Sequence, residues 1–222
     1  MKRSGITIIL LIFALMIVAD ISFGDIIAEY GLKGGLSIMK IKSSDTQDSD
    51  SIVKPCFGAY LTVNYENGFA IQPELLLLMK GGKTDYSTYG ILAVEEDVYT
   101  YLEVPVLAKY RLNSNDNIGL SIFAGPSIGM LLGTHYKLTG YDADYLAYLL
   151  GINTEGTAKD LGIDTNTFEF SLQFGTGMDF EIRSGTLTVD ARYCIGLTNV
   201  IDTNPEVGNK NNGFIIMAGY TF

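Results

Sequence analysis

Residues 167–182 read TFEFSLQFGTGMDFEI. Phe168, Phe170, Leu172, Phe174, Met178, Phe180 and Ile182 fall on one parity, and Glu169, Ser171, Gln173, Gly175, Gly177, Asp179 and Glu181 on the other. Side chains of a strand alternate between faces, so this is a strand with one apolar and one polar side. It exceeds the usual soluble strand of about 5–6 residues and is long enough for the roughly 9–11 tilted residues that cross a bilayer. The polar side decides between water and lipid. A solvated exterior is rich in Lys and Glu. This side is largely Gly, Ser and Gln with scattered charges, which suits the crowded interior of a narrow barrel. The aromatic side then faces lipid.

The alternation recurs along the chain. Leu187, Val189, Ala191, Tyr193 and Ile195 oppose Asp190, Arg192 and Cys194; Leu102, Val104, Val106, Ala108 and Tyr110 oppose Glu103, Lys109 and Arg111. Phe57, Ala59, Leu61, Val63 and Tyr65 oppose Gly58, Tyr60, Thr62 and Asn64, and Phe214, Ile216, Ala218, Tyr220 and Phe222 share one face. The candidate strands are 29–41, 56–66, 68–80, 99–111, 117–133, 167–182, 185–198 and 213–222. Tight turns at Glu66-Asn67-Gly68, Asn113–Asn117 and Arg183-Ser184-Gly185 alternate with long connections at 42–55, 81–98, 134–166 and 199–212. Short turns at one end and long loops at the other is the outer-membrane pattern. The expected fold is all-β: an eight-stranded antiparallel up-and-down transmembrane β-barrel over residues 25–222. Both termini fall at the short-turn, periplasmic end. Tyr30, Tyr65, Tyr110 and Tyr220 form an aromatic girdle there.

The N-terminus carries an address. Lys2 and Arg3 precede the apolar run Ile6–Ala19, which is too short for a comfortable membrane helix of about 20 residues. Ser22-Phe23-Gly24 supplies small residues at the −3 and −1 positions of a cleavage site, so residues 1–24 read as a secretory signal peptide. Removing Lys2, Arg3 and Asp20 with it leaves 13 basic and 24 acidic residues, a net charge of −11. That balance excludes a nucleic-acid partner. The acidic residues concentrate in the long connections, at the outward-facing end of the barrel.

An eight-stranded barrel is just wide enough for side chains to fill it, and buried charges must be paired. The expected interior network sets Lys33, Lys109, Arg111 and Arg192 against Glu74, Glu103, Asp179, Glu181 and Asp190, with Glu103 and Lys109 a candidate pair on one strand. Pro73 and Pro105 lie inside strands, where proline marks a bulge or an edge. One His is present, so no zinc site of His and Cys is available. His135 with Ser127 or Ser171 is the one arrangement that could serve acyl chemistry, but no Gly-x-Ser-x-Gly turn accompanies it, and no catalytic residue, metal or cofactor is expected. Asp45, Asp48 and Asp50 resemble a calcium run without the Gly and distal Glu of a complete loop. Leu146–Ile152, LAYLLGI, reads as a short helix over the barrel mouth or as a partner-binding patch. Cys56 and Cys194 lie on non-neighbouring strands, beyond the roughly 7 Å reach of a disulfide, and are expected as free thiols.

GLKGGLSI (31–38), IQPELLLLMKGG (71–82), YLEVPVLAKYRL (101–112), FAGPSIGMLLG (123–133), ARYCIGLTNV (191–200) and MAGYTF (217–222) together resemble the PorT-like family of bacterial outer-membrane β-barrels. The resemblance covers nearly all of the mature chain. Its strongest marks are the Q-P-E-L strand and the E-x-P-V-L-x-K-Y strand. It implies an eight-stranded barrel of the OmpA/OmpX type and no catalytic residues. One branch of the family takes part in a secretion machinery of Bacteroidetes-type bacteria. The ending, with Tyr220 and terminal Phe222, is similar to the signal read by the barrel-assembly machinery on outer-membrane clients.

The function expected is non-enzymatic: a barrel in outer-membrane lipid that displays acidic loops for binding, adhesion or assembly with a protein partner. The alternatives are a PorT-like component of a secretion machinery, a small pore, and a lipid-modifying enzyme. A soluble lipocalin-like barrel would alternate in the same way with its apolar face inward.

Overall fold

The computed structural model describes residues 27–43, 48–115, 118–202 and 208–222. The expected signal peptide, Asp45 and part of the 113–117 turn lie outside them. The strands are β1 (Ile27–Ser43), β2 (Ile52–Asn64), β3 (Phe69–Asp85), β4 (Val94–Asn115), β5 (Ile118–Thr139), β6 (Glu155–Gly156), β7 (Phe168–Ile182), β8 (Gly185–Gly196) and β9 (Asn209–Thr221). One α-helix, α1 (Ala143–Leu150), stands in the β5–β6 connection.

Leaving the two-residue β6 aside, each strand pairs antiparallel with the next along the chain. The sheet runs β4-β3-β2-β1-β9-β8-β7-β5, and β4–β5 pairing closes it into an eight-stranded barrel. The two-residue β6 adds to β5 at Tyr136 and Lys137. The β2–β3 turn is built by Asn67 (φ 63°) and Gly68 (φ 79°), left-handed positions whose twist matches that of a hairpin. The β7–β8 turn needs only Arg183 and Ser184 between the paired Ile182 and Gly185.

Two sequence expectations need correction. The strands are longer than the alternation indicates: β4 and β5 run to 22 residues each, reaching into the segments read as loops. A register shift between Thr100 and Tyr101 inserts Leu132 as an extra residue in β5, and beyond it the inside–outside parity changes. The prolines, by contrast, mark no bulge. Ile71 pairs with Ala108 and Leu76 with Glu103, one constant register across Pro73, and Pro105 itself pairs with Ser127.

The outer surface carries an exposed apolar belt. It includes Leu32 and Leu36 of β1, Phe57 of β2, Phe170, Leu172 and Phe174 of β7, Leu187 and Val189 of β8, and Phe214 and Ile216 of β9. Tyr30, Tyr65 and Tyr110 ring the short-turn end with Phe69 and Phe222, and half-buried Tyr220 donates its hydroxyl to Ser184 O at 2.7 Å. On β4 and β7 the belt ends near Leu102 and Phe168, which meet β5 at the same residue, Met130. Residues 94–99 and 133–139 rise beyond it toward the long loops.

Candidate functional site

The lumen is the first candidate. Its inward face is set by the even positions of β2, β3 and β8 and the odd positions of β1, β4, β7 and β9. At the short-turn mouth, Lys109 Nζ lies 3.0 Å from Asp179 Oδ2, and Arg111 Nη2 lies 3.8 Å from the same oxygen. These residues line a cavity of about 360 Å³ with Glu29, Tyr60 and Thr62. Glu181 reaches only the exposed rim of this mouth and pairs with no cation among the described residues. Strand parity brings it to the inner side, but its position at the end of β7 leaves it in solvent.

Deeper in, Arg192 Nη1 donates to Glu74 Oε2 at 2.8 Å, and its Nε and Nη2 both reach Asp190 Oδ1 at 3.0 and 2.9 Å. Lys33 Nζ completes this layer, donating to Glu74 Oε1 at 2.7 Å and Asp190 Oδ2 at 3.1 Å. Two cations meet two carboxylates, and Gln72 donates to Glu74 Oε1 at 2.6 Å.

A second ionic layer lies further toward the loops. Lys80 Nζ sits 3.0 Å from Glu103 Oε2 and 3.1 Å from Glu169 Oε1. Glu103 Oε1 accepts from Ser127, Ser171 and Gln173, and Glu169 Oε2 accepts from Asn211. Glu103 and Lys109 therefore do not pair with each other; six residues apart on β4, they serve different layers. Lys80 and Glu169 are absent from the interior set expected from sequence. Parity places Glu169 inside, and Lys80 shares the parity of Glu74.

Between the two ionic layers Leu76, Leu78, Met39, Ile215, Met217 and both free cysteines form a buried apolar cluster. Above the Lys80 layer, Tyr99, Tyr101 and Leu131 pack with Val200 of the β8–β9 connection. Val200 thus covers the lumen at this level. Beyond the cavity at the short-turn mouth, ion pairs, the apolar cluster and Val200 fill the lumen.

The enzymatic arrangement does not assemble. Ser127 and Ser171 pair side by side in the lumen and both donate to Glu103. His135 is exposed on the part of β5 beyond the belt, opposite Val98.

The loop end is the second candidate. Buried Ala143, Leu146 and Ala147 of α1 pack against Leu138 of β5 and Ala93, so the helix rests on the β4–β5 extension. Tyr86 donates to Glu95 at 2.6 Å. Burial, then the nearby Glu95 carboxylate, push Asp97 up to about 7. Asp48 is engaged by Lys40 at 2.7 Å, a hydrogen bond that holds its carboxyl below the usual range. Of the described residues of the suspected calcium run, Asp48 is thus committed to an internal ion pair and Asp50 bridges Lys83 through its backbone, and no cluster of three metal-ligating His, Cys, Asp or Glu occurs among the described residues.

Residues 22–202 match the family described as outer membrane protein beta-barrel domain. The chain belongs to this family of outer-membrane β-barrels. Among solved structures, this family member is similar to Ail, the attachment invasion locus protein of Yersinia pestis, at 15% identity over 88% of this chain and 99% of that one, with a TM-score of 0.44. It is also similar to Neisserial surface protein A, at 10% identity over 88% and 99% with a TM-score of 0.46, and to OprG of Pseudomonas aeruginosa, at 10% identity over 88% and 96% with a TM-score of 0.41. No curated protein matches it. Within the outer-membrane family the belt has its physical explanation: aromatic and aliphatic side chains that would be a liability in water are the solvent-matched surface in lipid.

Proposed function

We propose that this outer-membrane barrel is a non-enzymatic anchor that displays its acidic loop end to a protein partner. The observation that carries the reading is the filled lumen beneath a structured loop end. With Arg192, Glu74 and Lys80 closing the interior, the surface left for function is the β4–β5 extension, α1 and the connections around them. The short-turn end, with both termini and the tyrosine girdle, faces the periplasm in this reading, after removal of residues 1–24. Tyr220 and Phe222 serve as the assembly signal during biogenesis. Phe222 stacks on Tyr30 at 5.5 Å and meets Tyr220 edge-on at 5.1 Å, so the signal would be sequestered once the barrel closes. The Q-P-E-L and E-x-P-V-L-x-K-Y strands, which resemble the PorT-like family, favour a second reading in which the partner is a component of a secretion machinery.

The test is labelling of intact cells with a membrane-impermeant maleimide. The native cysteines are buried and give no background. Asn153→Cys in the loop end should label on intact cells, and Arg183→Cys in the short turn only after permeabilisation. The reverse pattern, or recovery of the protein in the soluble periplasm, would overturn the reading.

A further inference from the structure

We infer that the exposed face of α1 is a docking surface for a cationic, amphipathic polypeptide segment. The inference rests on the display reading and names the surface and the chemistry of the partner. Ala143, Leu146 and Ala147 fix α1 from below. Tyr145, Tyr148 and Leu149, three and four positions apart, form a single stripe on the other side. Tyr148 is 82% exposed, and Tyr141, at 91%, extends the stripe past the helix N-terminus. The Asp142 carboxylate accepts from the Leu92 backbone N–H at 2.8 Å, which holds exposed Leu92 of the β3–β4 connection beside the helix. Aromatic and aliphatic side chains this exposed, on a scaffold this fixed, mark an interaction site. Tyrosine also offers large contact area with few torsions to freeze.

Charge selects the partner. The helix itself carries Asp142 and Asp144 at its start and no Lys or Arg, while the nearest cations of the same connection are committed elsewhere, Lys137 opposite Glu155 across the β5–β6 pair and Lys159 beside Asp160. The β4 extension adds Glu95, whose carboxylate accepts from Tyr86. Phosphorylated sugars and anionic lipid headgroups are repelled by such a field, whereas Arg and Lys are attracted to it and stack on tyrosine faces. Leu149 and Leu92 leave room for an apolar side of the same segment.

The experiment uses the whole barrel in zwitterionic nanodiscs, with empty discs as reference. The probe is a fluorescent 14-residue peptide of Arg and Leu in helical amphipathic order; its Glu–Leu counterpart is the control. The expected result is binding of the Arg–Leu peptide that weakens with salt and falls at least tenfold in the Tyr145→Ala/Tyr148→Ala/Leu149→Ser variant. All three positions are exposed, and retained heat-modifiable mobility certifies the fold of the variant. Equal binding by the triple variant, or by the Glu–Leu peptide, would overturn the inference. So would binding of lipopolysaccharide vesicles with the same sensitivity to the triple substitution, which would make this a lipid-headgroup surface. Peptide binding by the purified barrel with no surface labelling of Asn153→Cys on cells would instead defeat the display reading alone.

Discussion

Arg192 on β8 and Glu74 on β3 bond across the full width of the lumen, Nη1 to Oε2 at 2.8 Å, with both side chains wholly buried. The two strands are four steps apart in either direction around the eight-stranded ring. The pair therefore ties opposite walls of the barrel, and Lys33 and Asp190 neutralise what remains of its charge. Removing one partner of a buried pair costs about 3–5 kcal/mol, because the other charge stays behind. Arg192→Leu should lower stability by about 3 kcal/mol, read as the urea midpoint of the heat-modifiable band. Glu74→Leu added to it should recover part of the loss. An unchanged midpoint in the single variant would mean that water hydrates the layer and the bond carries no weight.

The ionic and apolar layers make a second, separable claim about transport. Leu76, Leu78, Met39, Ile215 and Met217 pack together on the β1, β3 and β9 side of the lumen, while on the β7 side Gln173 bridges the two ionic layers, accepting from Arg192 at 3.2 Å and donating to Glu103 at 2.9 Å. In planar bilayers the wild-type barrel should show no stable current steps, and Arg192→Ala should stay closed behind the apolar cluster and the Lys80 layer. Combining Arg192→Ala with Leu78→Ala and Ile215→Ala should open measurable conductance. Current through the wild type would place the protein among pores, whatever its loops do.

The same residues explain what the sequence conceals. In β7 the two faces differ at nearly every step, Gly175-Thr176-Gly177 excepted, so the outside of the barrel is readable directly. In β3 the run Leu75–Leu78 is apolar on both faces, because lipid covers Leu75 and Leu77 while the apolar interior layer receives Leu76 and Leu78. A two-faced apolar run carries no parity signal of its own, and Lys80 at its end is placed inside only by counting on from Glu74 in an unbroken register. The extensions of β4 and β5 are hidden differently: the bulge at Leu132 shifts the alternation there, so 134–139 reads as loop. The layer assignments of Glu103 and Lys109 depend on contacts to the neighbouring β3 and to β7, two strands away, which spacing along one strand does not encode.

Asp97 makes the β4 extension sensitive to pH. Its carboxyl titrates at about 7 in the fold, against an ordinary value of 3.8, because of burial and then Glu95. A raised carboxylate is the reverse of the usual acid case. The folded state holds the proton more tightly than the unfolded one, so stability falls as pH rises between about 4 and 7. The penalty is complete above 7 and absent below 4. Amide exchange near Val98 and Tyr99 should be better protected at pH 5 than at pH 8, after correction for intrinsic rates. Asp97→Asn should remove the difference and slow opening at pH 8. Protection that rises with pH in the wild type would refute this.

The seam between the first and last strands supplies the last test. Tyr60 on β2 passes its ring over Gly31 of β1 and bonds through its hydroxyl to Thr221 Oγ1 of β9 at 2.6 Å. Gly31 pairs with Tyr60 on one side and Thr221 on the other, so the ring spans three strands at the point where the barrel closes. A Cβ at Gly31 would lie 2.5 Å from Tyr60 Cζ and 2.4 Å from Tyr220 O, far inside contact distance. Lys33 Nζ stands 4.5 Å from the centre of the same ring, linking the seam to the Arg192 layer. Tyr60→Phe removes only the hydrogen bond and should cost about 1 kcal/mol. Gly31→Ala must displace the ring and the β9 backbone together, and should cost more and slow barrel closure in refolding followed by gel mobility. Adding Tyr60→Ala to Gly31→Ala should cost less than the sum of the two singles, because the clash with the ring is gone. Strict additivity would show that Gly31 is needed for the backbone approach to β9 alone.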